Sequence, residues 1–306
     1  MSARGTSMTI VRTGRDDSSG RLLAGRYRLQ GLLGRGGMGD VWLARDEVLA
    51  RAVAIKEFTL PEAVIDPATA TTRVFNEAQA AAQVTHRGVV RVYDLAVENG
   101  SHWIVMEALT GQTLADAIDE QGRLDLGRVA DIAVQLLEAL HAMHREGVIH
   151  RDVKPSNVQL SSSGRVVLTD FGLATLGGTT AATEPDQVLG SPPYMAPEAI
   201  LEGWFGPASD MYSLGATLYA AVEGRQPLDG ITSSSTLDAL KNEPPPPLPH
   251  AGFLRPVIQG LLTKDPDLRL DSSEAHLYLE TLQSERARAS RRSRTHGSAA
   301  LTVSDP

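Results

Sequence analysis

The segment His150-Arg151-Asp152-Val153-Lys154-Pro155-Ser156-Asn157 is the most informative part of this 306-residue sequence, together with Asp170-Phe171-Gly172 downstream. Aspartate, lysine and asparagine at this spacing can project from one short loop into one pocket. Such a set suits the transfer of a phosphoryl group from a metal-bound nucleotide to a hydroxyl. Asp152 would orient the hydroxyl and accept its proton, and Lys154 would balance the negative charge of the moving group. Asn157 and Asp170 would hold the Mg²⁺ ions.

The order and spacing of these residues resemble the catalytic and metal-binding loops of protein kinases. Within that family the sequence resembles the eukaryotic-like (Hanks-type) serine/threonine kinases of bacteria, over about residues 26–283. The resemblance implies an α+β fold in two lobes. The N-lobe would hold a small five-stranded antiparallel sheet and one main helix, and the larger C-lobe would be mainly helical. The expected organisation is a disordered leader (1–25), a kinase domain (26–284) made of an N-lobe (26–108) and a C-lobe (109–284), and a basic disordered tail (285–306).

Composition narrows the functional classes. A formal net charge of −8 argues against nucleic acid as the main partner, because a phosphate-binding surface normally brings a basic excess. The absence of cysteine excludes disulfides and thiolate chemistry. The longest apolar run, Met211 to Val222, is shorter than the ~20 residues of a membrane-spanning helix, and no secretory signal is recognisable. We therefore expect a cytoplasmic protein, with the alternative that the chain is the cytoplasmic part of a membrane-anchored kinase, since basic tails often precede a membrane helix in this family.

A glycine-rich turn, 34–39, lies between two predicted strands in the N-lobe. A dinucleotide-binding motif would need a helix after the glycines, and none is indicated here. The short β-branched strand Ala52-Val53-Ala54-Ile55-Lys56 matches the strand that carries the nucleotide-binding lysine of kinases. Glu77, in a helix predicted over residues 72–84, is expected to pair with Lys56. Pro61 and Pro67 are expected to interrupt regular structure before this helix.

The resemblance also implies a nucleotide pocket between the lobes. Met106 would lie behind adenine, and the backbone of Glu107 and Leu109 in the hinge would hydrogen-bond it. Gln159 stands at the pocket floor, where the family usually has an apolar residue. The expected ligands are ATP and Mg²⁺, with Mn²⁺ as the alternative metal. The predicted ATP-binding residues are Leu33, Gly34, Gly36, Gly39, Val41, Ala54, Lys56, Glu77, Met106, Glu107, Leu109 and Gln159.

Residues 172–198 match the activation segment of kinases, with a substrate ledge of the serine/threonine type at Ser191. The segment carries three candidate phosphorylation sites, Thr179, Thr180 and Thr183. Three further residues are expected to have structural roles. Glu198 would form a buried ion pair with Arg269, and Asp210 would bond the backbone of the catalytic loop.

We therefore predict an ATP- and Mg²⁺-dependent serine/threonine protein kinase that acts in signal transduction and autophosphorylates its activation loop. Its partners would be ATP, protein substrates and, for autophosphorylation in trans, a second copy of the chain. Two alternatives belong to other classes: a catalytically dead pseudokinase used as a binding module, and a small-molecule phosphotransferase of related fold. The complete set of Lys56, Glu77, Asp152, Asn157 and Asp170 argues against the first, and the segment Ala196-Pro197-Glu198 argues against the second.

Overall fold

The structure is a computed structural model that describes residues 20–36, 39–58, 67–170, 192–227, 244, 246–282 and 284. These residues form two lobes, as the sequence predicts. An antiparallel sheet with one helix precedes residue 108, and a mainly helical lobe follows it. The expectation of a two-lobed α+β fold is confirmed.

The N-lobe sheet has six described strands in the order β1-β2-β3-β4-β6-β5, one more than predicted. All neighbours in it are antiparallel. The additional strand, β1, belongs to the segment assigned to a disordered leader, which was therefore predicted to extend too far. Leu23 in β1 is fully buried, and the Gly20 N–H donates to the Leu29 carbonyl. The strands are β1 (Leu22–Leu23), β2 (Tyr27–Gly36), β3 (Gly39–Asp46), β4 (Arg51–Phe58), β5 (Val92–Glu98) and β6 (Ser101–Glu107).

The first described residues also tie β1 and β2 to β5, the far edge of the sheet. Arg21 pairs with Glu98, and Arg26 pairs with Asp94 at 3.1 Å. The sheet also carries a second apolar core on one face, separate from the main core of the molecule. This core contains Leu23, Tyr27, Leu29, Trp42, Ala44, Val53, Ile55, Ala96, Trp103 and Val105.

Helix α1 (Pro67–Gln83) packs against β5 and buries Ala78 and Ala81. It begins at Pro67, so the expectation that this proline interrupts regular structure was wrong. Proline is favoured at the first helical position, because its fixed φ suits a helix and its missing N–H would have no partner there. The helix is therefore one turn longer at its start than the sequence indicated.

The C-lobe is built around two long helices, α3 and α5. Helix α5 is buried on nearly all sides, from Ser209 to Val222, and α3 and α6 pack against it. A small sheet of three strands, in the order β7-β8-β9, lies between this helical core and the N-lobe. The C-lobe elements are β7 (Gln112–Thr113), α2 (Leu114–Gln121), α3 (Leu126–Arg145), β8 (Val158–Leu160), β9 (Val166–Leu168), α4 (Pro197–Leu201), α5 (Pro207–Glu223), α6 (Arg255–Leu261) and α7 (272–282). Over the part of the chain that the structure describes, no helix has both the length and the apolar character needed to span a membrane.

An ion pair between Glu198 and Arg269 lies inside the C-lobe. The guanidinium donates to both carboxylate oxygens, at 2.7 and 2.9 Å. Its other donors bond the carbonyls of Thr263, Lys264 and Ala208, so all five are used. Burial by itself raises the pKa of Glu198, but the hydrogen bonds and charge of Arg269, together with a backbone hydrogen bond and one from Ser209, lower it below its ordinary value. The pair connects the start of α4 to the segment before α7.

We predict that Glu198→Ala destabilises the protein by about 3 kcal/mol, because it leaves a buried guanidinium without its counter-charge. Urea denaturation at neutral pH measures this change. Glu202→Ala, at an exposed glutamate nearby, should stay within about 0.5 kcal/mol of wild type. Since the folded pKa of Glu198 is lowered, the stabilisation is present above the unfolded pKa and is lost as pH falls toward the folded pKa. A difference from wild type below about 1 kcal/mol at neutral pH would contradict the prediction.

Candidate active site

The carboxylate of Asp210 holds the backbone of the catalytic loop. Asp210 lies in the first turn of α5 and is fully buried. It accepts hydrogen bonds from the N–H groups of His150 and Arg151, both at 2.8 Å. It also accepts one from Nε2 of His144 at the end of α3, at 2.8 Å. Arg151 has φ of 66°, a conformation that costs a non-glycine residue about 1–2 kcal/mol. Asp210 thus holds the loop in a strained conformation beside Asp152.

His150 links this loop to the strand that leads to Asp170. Burial lowers the pKa of His150, so its imidazole is neutral near pH 7. Nε2 donates to the Thr169 carbonyl at 3.0 Å, and Nδ1 accepts from the N–H of Asp152. The Thr169 N–H in turn donates to the Asn157 carbonyl at 2.9 Å. These bonds fix both metal-ligand candidates, Asn157 and Asp170, relative to Asp152.

The predicted catalytic side chains converge around one carboxylate. Oδ2 of Asp152 lies 2.7 Å from Nζ of Lys154 and accepts from Nδ2 of Asn157 at 2.9 Å. Within the described ranges, Oδ1 of Asp152 accepts no hydrogen bond. One oxygen is therefore held by two protein groups, and the other has no partner among the described residues.

Lys56 and Asp170 form a second ion pair, with 2.8 Å between Nζ and Oδ1. Burial alone would raise the pKa of Asp170, but the charge of Lys56 and its hydrogen bond lower it. Asp170 is therefore a carboxylate at neutral pH. Its φ of 58° is a further strained position at the end of β9.

Asn157 and Asp170 fit a magnesium site. Mg²⁺ takes oxygen ligands and is often held by one or two protein side chains together with substrate phosphates. The Asn157 amide nitrogen is bound to Asp152, which turns its oxygen away from that residue. No group of three or more His, Cys, Asp or Glu side chains suited to a metal occurs among the described residues, so a metal here would depend on phosphate oxygens.

The predicted adenine-pocket residues belong to one apolar cluster. Ala54 pairs with Met106 across β4 and β6, and Val41 pairs with Lys56 across β3 and β4. The register therefore places the phosphate-binding candidate next to the pocket walls. The cluster includes Leu33, Val41, Ala54, Met106 and Leu109.

The glycine-rich turn has a steric requirement at Gly39. Its φ is +128°, and a Cβ there would lie 2.0 Å from the Glu57 carbonyl oxygen. Gly34 and Gly36 lie in β2 and pair with Val41 and Gly39. Only glycine therefore allows β3 to run this close to the end of β4.

Gln159 lies in the middle of β8 and is only 4% exposed. Its neighbours Val158 and Leu160 face the main apolar core. In the described part of the chain the Gln159 amide makes no hydrogen bond to protein. A purine at the pocket floor would therefore cover an amide that has no hydrogen-bond partner in the described part of the chain.

Several predicted residues lie outside the described part of the structure. Glu77 is in α1, but its side chain is outside that part, so its pairing with Lys56 stays a prediction. The same holds for the activation-loop candidates Thr179, Thr180, Thr183 and Ser191.

Sequence reasoning missed the contribution of His144. The notable signal was a histidine near the end of an amphipathic helix, six positions before His150. Such a residue is usually a surface or core histidine, and only the fold shows that it reaches Asp210. Thr169 was missed for the same reason, because its role depends on the distance between β9 and the catalytic loop.

Comparison with known proteins assigns the chain to a family. Residues 27–278 match the protein kinase domain. The chain is 38% identical over 264 residues to the serine/threonine-protein kinase PknA of Mycobacterium tuberculosis, covering 83% of this chain and 60% of that protein. It is 36% identical to the PknA kinase of Corynebacterium glutamicum, covering 89% of this chain and 59% of that protein. For PrkC of Bacillus subtilis the identity is 35%, covering 83% of this chain and 40% of that protein.

The chain therefore belongs to the protein kinase family, and its kinase domain is of the bacterial serine/threonine type. The predicted family is confirmed. The chain spans about 60% of the length of the PknA relatives and 40% of PrkC.

We predict that Gln159→Leu tightens ATP binding by about 1 kcal/mol, because the substitution removes an amide that loses water without gaining a partner. Isothermal titration with Mg-ATP measures the change. Gln83→Leu, at an exposed position at the end of α1, should leave the affinity unaltered. Weaker binding by Gln159→Leu would mean that the amide bonds the nucleotide directly.

Proposed function

We propose that this protein transfers the γ-phosphoryl group of ATP to serine and threonine hydroxyls of proteins, with Mg²⁺ as the metal. The observation that carries the proposal is the arrangement around Asp152, where Lys154 and Asn157 hold one carboxylate oxygen and leave the other available. Membership of the kinase family and the similarity to bacterial serine/threonine kinases support it. Mn²⁺ could serve at the same ligands.

In the proposed reaction the substrate hydroxyl donates a hydrogen bond to Oδ1 of Asp152. Its oxygen attacks the γ-phosphorus, the bond to the bridging oxygen of ADP breaks, and the hydroxyl proton passes to Asp152. Lys154, 2.7 Å from Asp152, offsets negative charge on the moving group. Lys56 would bind the α- and β-phosphates. When bound at Asn157 and Asp170, Mg²⁺ neutralises charge on the phosphate oxygens.

Nucleotide binding must also change the ion pairs of the site. Lys56 now shares a hydrogen bond with Asp170, and both groups would face phosphate and metal in the complex. Asp170 is already ionised because its pKa is lowered, so metal binding requires no proton release from it near pH 7. Glu77 is the proposed second carboxylate that holds Lys56 after this exchange.

We predict that Asp152→Asn and Asp170→Asn each lower kcat by about 100-fold or more, because each removes a charge used in the transition state. Phosphate transfer from labelled ATP to a generic protein substrate measures the loss, and circular dichroism checks the fold. Asp131→Asn, on the exposed side of α3, is the matched control and should retain activity. Activity of Asp152→Asn within a few-fold of wild type would refute the role of Asp152, whereas the absence of phosphate transfer by the wild-type protein would favour a binding module.

We also propose that the kinase activates itself by phosphorylation of Thr179, Thr180 or Thr183. A phosphate there would add nearly two negative charges to the activation segment. Arg151, next to the catalytic aspartate, could receive it and so connect the loop to Asp152 and the Ser191 ledge. A second copy of the chain would act as substrate when this reaction occurs in trans.

After incubation with Mg-ATP we expect phosphate between Thr179 and Thr183 by peptide mass spectrometry, and none in Asp152→Asn. Replacing the three threonines by alanine should lower kcat severalfold, whereas Ser162→Ala, in the exposed turn after β8, should not. Full activity of the triple alanine variant would exclude loop phosphorylation as the switch.

We further propose bounds for the catalytic domain and a cellular location. We assign the catalytic domain to residues 20–284, since β1 contributes to the N-lobe sheet. The absence of cysteine is compatible with a reducing compartment, and we propose the cytoplasm.

A further inference from the structure

One ion pair near the proposed nucleotide site has no role in the mechanism above. Glu107, the last residue of β6, forms two hydrogen bonds with the guanidinium of Arg165. Nη1 lies 2.5 Å from Oε1, and Nη2 lies 3.0 Å from Oε2. The hydrogen bonds from Arg165 lower the pKa of Glu107, so the carboxylate is ionised at neutral pH. Glu107 is also the residue whose main-chain carbonyl is proposed to bind adenine.

Arg165 is itself anchored to the C-lobe on both sides. It lies in the turn between β8 and β9, directly before Val166. The side-chain amide of Gln135, on α3, donates to the Gly164 carbonyl and accepts from the Val166 N–H, both at 3.1 Å. The Arg165 carbonyl accepts from the Ser161 N–H at 2.9 Å. The backbone on each side of Arg165 is therefore fixed to the C-lobe core.

The third donor of Arg165 reaches the loop that follows α1. Nε donates to the Arg87 carbonyl at 2.7 Å. This loop already runs along β9, since Leu168 exchanges hydrogen bonds with Gly88 and Val90, at 2.8 and 3.0 Å. It also accepts from the Glu107 N–H through the Arg91 carbonyl, at 2.9 Å. One guanidinium thus joins the loop after α1, the start of β9 and the first residue of the hinge.

We propose that Arg165 is a positioning residue for nucleotide binding. It holds the Glu107 side chain on the side of the β8–β9 turn, and this fixes the peptide that presents the Glu107 carbonyl to adenine. The forked guanidinium is suited to this role, because it can bind a carboxylate with two donors while a third holds a carbonyl. The proposal rests on the proposed function, since it assumes that adenine binds at the hinge.

The physical consequence is a lower ordering cost for binding. A hinge that is already fixed loses little conformational freedom when the base binds, whereas a loosened hinge must be ordered by the ligand. Removing the ion pair between Arg165 and Glu107 should therefore weaken nucleotide binding. It should leave the phosphoryl-transfer step almost unchanged, because Arg165 touches none of the groups around Asp152. This separation of KM from kcat distinguishes positioning from a general loss of stability.

The test uses the full 306-residue chain and four variants: Arg165→Met, Arg165→Lys, Glu107→Gln and the double variant Glu107→Gln/Arg165→Met. Isothermal titration with Mg-ATP gives Kd without requiring turnover, and steady-state kinetics gives KM and kcat. For Arg165→Met we expect Kd and KM to rise about tenfold while kcat stays within about threefold of wild type. Arg165→Lys should recover most of the affinity, because an ammonium can still pair with Glu107. The double variant should bind Mg-ATP no more weakly than the single variant with the lower affinity, because the two residues act through the contact that they share.

Arg128→Met is the matched control, because Arg128 is exposed on α3 and, among the described residues, its side chain donates one hydrogen bond, to Gln121 at 3.4 Å. It should leave Kd and kcat unaltered. Unchanged Kd in Arg165→Met, additive effects in the double variant, or an increase in kcat would each overturn the proposal. Wild-type protein that binds no Mg-ATP would instead contradict the proposed function. If Arg165→Met does not fold, the Kd of Glu107→Gln for Mg-ATP tests the proposal, and the same rise is expected.

Discussion

The candidate site depends on one buried carboxylate, that of Asp210. It accepts hydrogen bonds from two consecutive backbone N–H groups, at His150 and Arg151, and from the imidazole of His144. Buried N–H groups need partners, and a loop in a strained conformation cannot supply them from regular structure. Asp210 supplies them from α5, the most deeply buried helix. The geometry of the catalytic loop is therefore set by the C-lobe core.

Hydrogen bonds to the backbone then connect the catalytic loop to the metal-ligand candidates Asn157 and Asp170. His150 binds the Thr169 carbonyl, and Thr169 binds the Asn157 carbonyl. Asp170 follows Thr169 directly, so its Cα position relative to Asp152 is determined by these bonds. Small errors in position are costly in catalysis, because reacting groups must already lie close to their transition-state geometry. The structure meets this requirement with hydrogen bonds between main-chain groups and to the His150 imidazole, none of which is assigned to nucleotide or substrate.

Sequence reasoning was successful where a property is local or belongs to a short motif. The residues from Asp152 to Asn157 lie close in the chain, so any fold that retains the loop brings them together. The residues that were missed act over long sequence distances. His144 reaches Asp210 across 66 positions, and Arg165 reaches Glu107 across 58. Leu23 was assigned to a leader because the segment around it has no periodicity, yet pairing with β2 buries it fully. Pro67 was misjudged because a proline signals the end and the beginning of a helix equally well.

Among the described ion pairs, the buried pair of the C-lobe and the two pairs of the candidate site differ in burial, and the difference corresponds to their use. In the structural pair, the side chains of Glu198 and Arg269 are 6% and 0% exposed, and every N–H group of the guanidinium donates a hydrogen bond. The pairs at the candidate site use lysine and are more exposed. The side chains of Lys56 and Asp170 are 9% and 30% exposed, and those of Lys154 and Asp152 are 22% and 14% exposed. An ammonium on a flexible stem makes fewer directional bonds than guanidinium and can exchange partners at a lower cost. Partial exposure further reduces that cost, because water can replace a lost partner. The buried arginine pair is thus suited to stabilising the fold. The lysine pairs of the proposed reaction centre are suited to a change of partner, in which the lysine leaves a carboxylate and binds a phosphate.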